Sequence, residues 1–394
     1  MKRSLEGVRI LDFTRLLPGP FGTQILGDLG AQIVKVEDRE AGDYTRRLPP
    51  LYKNMGSFFC SFNRNKRSIK LDLKKPEALD IVHRLVRDCG YDVVTEGFRP
   101  GVAQRLGIDY DSLCRIEPGV IQASLPGFGD GSSRRDSAAH DIGLLALSGI
   151  LSVSGNEQTG PAILGIQIDD LAAGMYFAVG ILAALHHRKQ TGEGQRIEVT
   201  MADAALALNA TNLTAAALMK KAPSFAEHHL SGMVLNYQIY KTKDGRYLSV
   251  GAVEPKFWIN ACNAFDLPEL INEQGTPAND GEPAYEKLKA RVAEKTLDQW
   301  KEIFRDVDAC VEPVLNSLEA LEYPHYRERN MVENVDHPLE GQMTHIPLPV
   351  KMSATPAGNF HPVPEHGEHT DEILSEAGFS TAQIEQLRKS GVVG

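Results

Sequence analysis

The chain has 394 residues, more than the ~250–300 at which a single hydrophobic core usually stops growing, so its length predicts two domains. The formal net charge of −10 argues against a nucleic-acid-binding protein, because such proteins neutralise phosphates with Lys and Arg. Five scattered cysteines without a Cys-x-x-Cys pair favour reduced thiols. The first residues lack a signal-peptide core, and the longest apolar run, 171–185, is too short to span a bilayer. We therefore expect a cytoplasmic protein without a membrane segment.

Strands alternate with helices over the first 200 residues. Strand patterns lie at 8–13 and begin at Gln32, Ser68, Asp92 and Val120, and helical patterns lie near 21–29 and 76–89. A helix at 169–189 ends at a Gly-rich turn, and the strand RIEVTM and an Ala-rich helix at about 202–220 follow it. This alternation predicts an α/β, Rossmann-like domain whose parallel sheet is covered on both faces.

The pattern changes after His228-His229. NYQIYKT and RYLSVGA flank an Asp-Gly turn and predict a hairpin, and helical segments follow near 256–265 and 284–304. The stretch 342–369 is rich in Pro and His, and a final helix begins at about Thr370. We predict a large domain of 1–200 and 345–394, a linker helix at 201–232, a small α+β domain at 233–324 and a return linker at 325–344.

Several familiar catalytic motifs are absent from the sequence. It contains no Gly-x-x-x-x-Gly-Lys-Ser/Thr loop, no His-Glu-x-x-His and no Gly-x-Ser-x-Gly. Gly127 to Gly131 lacks dinucleotide-binding spacing, so we interpret it as a turn. The paired histidines have no thiolates or carboxylates at ligand spacing, so we predict no metal site.

Three segments carry acidic or imidazole residues that are candidates for chemistry. Asp169 and Asp170 precede an apolar helix, where capping and the helix dipole explain one carboxylate but not readily both. His140 enters an apolar segment, and a lone histidine there is more often structural than catalytic. Glu254 lies where the hairpin ends and a helix begins, so it also fits a helix-start carboxylate.

The segments taken together resemble the family III CoA-transferases, a family that also contains racemases of α-methylacyl-CoA. The resemblance covers essentially the whole chain, and the segments that carry it are PGPFGTQILGDLGAQIVKVE, NKRSIKLDLKKP, EGFRPGVAQRLG and DDLAAGMYFAVGILAALHHRKQTGEGQ. It implies a large α/β domain with a small domain between its two parts, and a homodimer of two interlocked chains.

The resemblance also implies roles for the candidate residues. The family's reacting aspartate falls on Asp170, a nucleophile in transferases and a base in racemases. His140 stands where racemases of the family have histidine in Gly-His-Asp-Ile, although Ala139 replaces the glycine, and transferases commonly have tyrosine there. Glu254 matches a racemase glutamate in Gly-Ala-Ile-Glu-Pro-Gln-Phe. We predict these three as catalytic.

Coenzyme A is expected as part of the substrate, with no further cofactor. The resemblance implies that it is bound by the following positions: Arg39, Leu71, Asp72, Leu73, Lys74, Arg99, Arg105, Ala139, Asp141 and Ile142. From charge alone, the basic stretch with Arg64, Lys66 and Arg67 could add a local positive field for the phosphates, although solvated surface charge explains each residue equally well.

The predicted function is a racemase or epimerase of 2-methylacyl-CoA thioesters, because a two-base mechanism can use His140 and Asp170. The alternative is a CoA-transferase that moves CoA between carboxylic acids through a covalent adduct on Asp170. A binding protein without activity is a weaker third interpretation, because all three candidate residues are present.

Overall fold

The computed structural model describes residues 3–358 and 360–394. These residues form two compact units. Among the described residues, the larger unit contains 3–148, 164–209, 325–358 and 360–394, and the smaller contains 149–163 and 210–324. The boundaries expected from the sequence for the domains and linkers remain predictions.

Thirteen strands lie in the described residues. In chain order they are β1 (Arg9–Asp12), β2 (Gln32–Asp38), β3 (Lys66–Leu71), β4 (Val93–Glu96), β5 (Ile121–Ser124), β6 (Gly155–Asn156), β7 (Gly160–Pro161), β8 (Arg196–Glu198), β9 (Tyr237–Lys241), β10 (Tyr247–Gly251), β11 (Val311–Pro313), β12 (Glu333–His337) and β13 (Gly341–His345).

Seventeen α-helices lie in the same residues. They are α1 (Pro18–Asp28), α2 (Ser57–Phe62), α3 (Pro76–Asp88), α4 (Val102–Arg105), α5 (Tyr110–Cys114), α6 (Asp141–Leu147), α7 (Ile150–Val153), α8 (Ile168–Thr191), α9 (Met201–Leu208), α10 (Ala210–Met219), α11 (Pro255–Ala264), α12 (Pro283–Ala293), α13 (Leu297–Phe304), α14 (Ser317–Glu322), α15 (Pro324–Glu328), α16 (Thr370–Glu376) and α17 (Thr381–Lys389). Short 3₁₀ helices occupy Tyr44–Arg47 and Pro268–Glu273.

The main sheet of the larger unit has six parallel strands in the order β3-β2-β1-β4-β5-β8. The predicted α/β class with a parallel sheet is confirmed. The chain passes from β1 to β2 and β3 on one side, and then returns to β4 on the other side of β1. This reversal opens a crevice at the carboxyl ends of β1 and β4, where open α/β sheets bind ligands.

Neighbouring residues of each central strand enter different cores, because successive side chains of a strand point to opposite faces. Leu11 packs with α3, α5, α16 and α17, whereas Ile10 packs with α1, α6, α8 and α9. Val94 and Val93 divide in the same way. All four side chains are fully buried, which explains why these strands are continuous apolar runs in the sequence.

Helices α1 and α8 cross at two glycines. A Cβ on Gly174 would lie 2.6 Å from the Pro18 carbonyl oxygen, and one on Gly22 would lie 2.7 Å from the Gly174 carbonyl oxygen. The backbones therefore approach more closely than any side chain permits. With 24 residues α8 is long and apolar enough to cross a bilayer, and 44% of its most apolar window is buried within the protein.

Two long predicted helices are each broken into two. The helix predicted at 202–220 is interrupted at Asn209, whose side-chain amide donates to the Ser148 carbonyl at 2.8 Å. The helix predicted at 284–304 stops at Ala293, and a new one starts at Thr296, whose hydroxyl forms a capping box with Gln299. The first break thus coincides with a long-range hydrogen bond and the second with a local capping box.

The smaller unit is built on a three-stranded antiparallel sheet in the order β11-β10-β9. The predicted hairpin is present, and Gly245 takes a positive φ of 76° in its turn. The core of this unit contains Trp258, Phe265 and Trp300. A two-stranded pair, β6 with β7, also belongs to it.

Candidate active site

A cavity of about 310 Å³ opens at the carboxyl end of the parallel sheet. Thr14 follows β1, Gly97 follows β4, Pro126 follows β5, and His140 and Asp170 complete the wall. The cavity therefore lies at the crevice that the strand order creates. It brings together two of the three predicted catalytic residues.

His140 and Asp170 are held by two helix N-termini that are tied together. His140 is the residue before α6, and Asp170 lies in the first turn of α8. Between them, Asp141 accepts hydrogen bonds at Oδ1 from the backbone amides of Asp169 (2.8 Å) and Asp170 (3.3 Å). One carboxylate of α6 thus satisfies amides of α8 that have no helical partner, and it fixes the two candidate residues on one cavity.

The carboxyl group of Asp170 is a weaker acid than that of a solvated aspartate. Burial and the nearby charge of Asp141 raise its pKa from 3.8 to about 7. Such a group binds a proton far more readily than a solvated aspartate, so it is a stronger base when ionised. A perturbed carboxyl that lines a cavity is a recognised mark of a functional site.

Asp169 is fully buried, and neither of its carboxylate oxygens has a hydrogen-bond partner among the described residues. Burial, followed by the charges of Asp170 and Asp141, raises its pKa to about 7. Asp141, Asp169 and Asp170 each place one oxygen within 4.8 Å of the others, so by composition the cluster could hold a metal ion. The sequence analysis noted that capping does not explain both adjacent aspartates, but it assigned Asp169 no role.

The residues predicted to bind CoA are distributed along one edge of the sheet. Arg39 follows β2, Asp72, Leu73 and Lys74 follow β3, and Arg99 follows β4. Arg99 and Ala139 line the cavity with His140 and Asp170.

The remaining predicted CoA contacts differ in exposure. Arg105 is exposed at the end of α4, Ile142 is exposed in α6, and the side chain of Leu71 is fully buried in the core, where it can offer a ligand only its main chain. All of these contacts stay predictions. The cavity also contains Arg15, which the sequence analysis missed, although its place just after a buried strand was a usable signal.

The basic stretch does not form a free positive patch. Arg64 is buried against Asp28 at 2.5 Å, and Lys66 is buried against Asp12 at 3.1 Å. Arg67 is bound by two glutamates of α16. Each of these charges is paired with a carboxylate within the protein, which argues against their acting as a phosphate-attracting field.

Glu254 belongs to the smaller unit. It is the exposed residue before α11, with an extended backbone and no capping hydrogen bond from its side chain. This position agrees with the interpretation of Glu254 as a carboxylate at the start of a helix. Its predicted catalytic role stays a prediction.

Comparison with known proteins identifies the family. The model of the family described as CoA-transferase family III matches residues 5–370. Succinyl-CoA:glutarate CoA-transferase of Mus musculus is 34% identical over 99% of this chain and 90% of its own length. Alpha-methylacyl-CoA racemase of Homo sapiens is 34% identical over 99% and 97%. Formyl-CoA:oxalate CoA-transferase of Rhodopseudomonas palustris is 32% identical over 100% and 98%.

A solved structure agrees with this result. The crystal structure of a CaiB/BaiF family protein from Brucella suis superposes with a TM-score of 0.83 at 26% identity, over 96% of this chain and all of that one. Relatives named as transferases and as a racemase match at nearly equal identity, so identity does not choose between the two reactions. The family itself is established, and the chain belongs to CoA-transferase family III.

Proposed function

We propose that this protein racemises or epimerises 2-methylacyl-CoA thioesters. The observation that carries the proposal is that His140 and Asp170 line one cavity at the crevice of the sheet. Inversion at the α-carbon needs one group to remove the proton from one face and a second group to return a proton to the other. An imidazole and a carboxylate are such a pair.

Each step moves one proton and one electron pair. The base takes the α-proton, the C–H electron pair moves into the thioester, and negative charge grows on the thioester oxygen. The conjugate acid of the other base then protonates the α-carbon on its opposite face. Because the reaction runs in both directions, each group must accept and release a proton with similar ease. The raised pKa of Asp170, about 7, lets its carboxyl both take up and release a proton near neutral pH.

The enolate oxygen needs hydrogen-bond donors, and loss of one donor typically costs ~10²–10³ in rate. The amides of Asp169 and Asp170 are already bound by Asp141, so they are not free to donate to the enolate. The first amides of α6, at Asp141 and Ile142, are the remaining candidates, because they lie beside His140 and precede the first helical hydrogen bonds.

CoA transfer is the second candidate function, and it is favoured by the relatives named as transferases. Asp170 would attack the thioester carbonyl, form a mixed anhydride and release CoA thiolate. Attack by that thiolate on the carboxyl carbon of Asp170 would then release the donor acid as its carboxylate and leave an aspartyl-CoA thioester. An acceptor carboxylate would attack this thioester, and the same steps in reverse would give the acceptor's CoA ester and free Asp170. His140 has no obligatory role in this sequence. In both reactions CoA is part of the substrate, and we propose no further cofactor, a cytoplasmic location and no nucleic-acid or membrane partner.

Proton NMR in D₂O distinguishes the two reactions. For a racemase, (2R)-2-methylacyl-CoA loses its α-proton signal and its stereochemistry without any acceptor acid. His140→Ala and Asp170→Ala should each abolish racemisation and leave exchange on, at most, one epimer. His187→Ala, on the exposed part of α8, is the matched control. If exchange is absent and a free carboxylic acid is converted to its CoA ester, the protein is a transferase.

We also propose that the protein is a homodimer. Large apolar side chains are exposed on α8 and α9 of the larger unit: Met175, Tyr176, Val179, Leu206 and Leu208. Clustered exposed apolar side chains of this kind mark association surfaces. Sedimentation should give twice the chain mass of 43.2 kDa, and Val179→Lys should shift the mass toward the monomer. A wild-type protein that sediments as a monomer would contradict this proposal.

A further inference from the structure

Asp169 is the most unusual polar residue of the larger unit. Its side chain is fully buried at the start of α8, and neither oxygen accepts a hydrogen bond from the described residues. An ionised carboxylate in such a place would be severely destabilised, because nothing replaces the water that it has lost. The Asp169 side chain is nevertheless buried in the folded protein. It must therefore be in a form other than an isolated carboxylate.

The neighbouring charges show which form that is. Asp141, from α6, and Asp170, from α8, are the titratable groups that act on Asp169, and their oxygens lie within 4.8 Å of its own. From α9, the Ala205 backbone amide lies near enough to the Asp169 carboxyl to favour its ionised form, but this is the smallest of the effects and the contact does not have the geometry of a hydrogen bond. Three negative charges at this distance repel one another strongly. The cluster therefore binds either a cation or a proton.

The position of the cluster favours the proton. The N-terminus of α8 carries the positive end of a 24-residue helix dipole, which repels a bound metal cation. Asp141 is already engaged at Oδ1 by two amides, which suits an ionised acceptor. Asp170 is half-buried on the cavity, whereas Asp169 has no access to solvent. The neutral acid is thus best placed on Asp169.

We propose that Asp169 is a positioning residue that stays a neutral acid beside the reacting carboxyl of Asp170. The proposal rests on the proposed function, in which Asp170 is the reacting carboxylate. Both candidate reactions build negative charge on the thioester oxygen. A second carboxylate beside Asp170 would oppose that charge, so loss of the proton from Asp169 switches the site off at high pH.

The order of ionisation agrees with this role. The pKa of Asp170 is raised to about 7 by burial and by Asp141, without a contribution from Asp169. The pKa of Asp169 is raised by burial and then by the charge of Asp170 itself. Asp170 therefore loses its proton at lower pH than Asp169. Asp169 keeps its proton until the pH rises further.

The test compares kcat/KM across pH, between about pH 5.5 and 9, in wild type, Asp169→Asn and Asp203→Asn. Asp203 is an exposed aspartate of α9 and serves as the matched control. Wild type and the control should lose ~10-fold per pH unit on the alkaline side, and Asp169→Asn should keep its activity there. Identical profiles would overturn the proposal, and so would a folded Asp169→Asn that is inactive at every pH. Loss of wild-type activity with a chelator and recovery with Mg²⁺ would overturn it in favour of a cation.

A second measurement does not depend on which reaction the enzyme performs. The infrared difference spectrum of wild type minus Asp169→Asn, near neutral pH, should contain the C=O stretch of a protonated carboxylic acid that shifts in D₂O. The control difference with Asp203→Asn should lack it. If the band is present and the protein neither racemises nor transfers CoA, the proposed function fails while the proton on Asp169 stands. If the band is absent, the proposal fails whatever the activity.

Discussion

Lys35 and Asp43 form a fully buried ion pair, 3.2 Å between Nζ and Oδ2, that fixes the first loop of the cavity. The Lys35 ammonium donates to the Thr14 carbonyl at 2.9 Å, and Asp43 accepts the Leu16 amide at 3.1 Å. Leu16 has a φ of 69°, a left-handed conformation that costs a residue other than glycine of order 1 kcal/mol or more. The ion pair thus holds a strained segment of the cavity wall.

Asp43→Ala should therefore damage both stability and activity. Removing one partner of a buried pair leaves the other charge uncompensated and typically costs ~3–5 kcal/mol. We expect a loss of that order in the free energy of unfolding, measured with denaturant, together with a higher KM for the acyl-CoA. Leu16→Gly, which accepts the same φ without strain, should raise KM with little loss of stability. If Asp43→Ala changes neither quantity, the pair does not support the loop.

Arg64 and Arg99 should respond to mutation in opposite ways. Arg64 is buried against Asp28, so Arg64→Met should destabilise the fold by ~3–5 kcal/mol. Arg99 is exposed on the cavity, so Arg99→Ala should weaken CoA binding and leave stability nearly unchanged. Titration calorimetry with CoA and thermal melts measure the two effects. Weaker binding by a stable Arg64→Met protein would restore the phosphate role that the ion pair argues against.

The parallel sheet was predictable because the residue pattern of each strand indicates on its own that both faces are buried. Ile10 and Leu11, or Val93 and Val94, are adjacent apolar residues, and such pairs occur in strands that are covered on both faces. The positions of His140 and Asp170 were also visible, since each begins an apolar helical segment. The family resemblance implied that both belong to one site, and in the structure both line the same cavity.

The contacts that organise the site could not be predicted, because they join distant parts of the chain. Asp141 binds the Asp169 amide 28 positions later, and Lys66 pairs with Asp12 across 54 positions. Residue type alone cannot separate a buried paired lysine from a solvated one. The same limit applies to Asn209, whose bond to Ser148 breaks a helix that propensity would continue.

Because α1 and α8 cross so closely, we expect a substitution of Gly174, which lies outside the cavity, to affect catalysis. Gly174→Ala would place a methyl group 2.6 Å from the Pro18 carbonyl oxygen, so the helices must separate. We expect a loss of ~1–3 kcal/mol in stability, and a fall in kcat because Asp170 lies one turn earlier on α8. Gly180→Ala is the control, since its new methyl group meets side-chain methyl groups of Ile197 (3.2 Å) and Val199 (3.9 Å) and no backbone atom. Equal effects of both variants would rule out the close crossing.

The two raised carboxyl pKa values also make stability depend on pH. Folding raises the pKa of Asp169 and of Asp170 from 3.8 to about 7, so the folded state binds protons that the unfolded state has released. This stabilisation is complete below the unfolded pKa and is lost as pH rises through the folded one. Each group contributes at most ~1.4 kcal/mol per pH unit in this window.

The free energy of unfolding should therefore fall from about pH 5 to pH 7 less steeply in Asp169→Asn than in wild type. Above about pH 8 the two slopes should coincide, because both carboxyls are then ionised in the folded and unfolded states alike. Urea unfolding at several pH values measures these slopes, with Asp203→Asn as the control. If Asp169→Asn has the wild-type slope throughout, Asp169 does not hold a proton in the folded protein, and the reacting carboxylate has a charged neighbour at neutral pH.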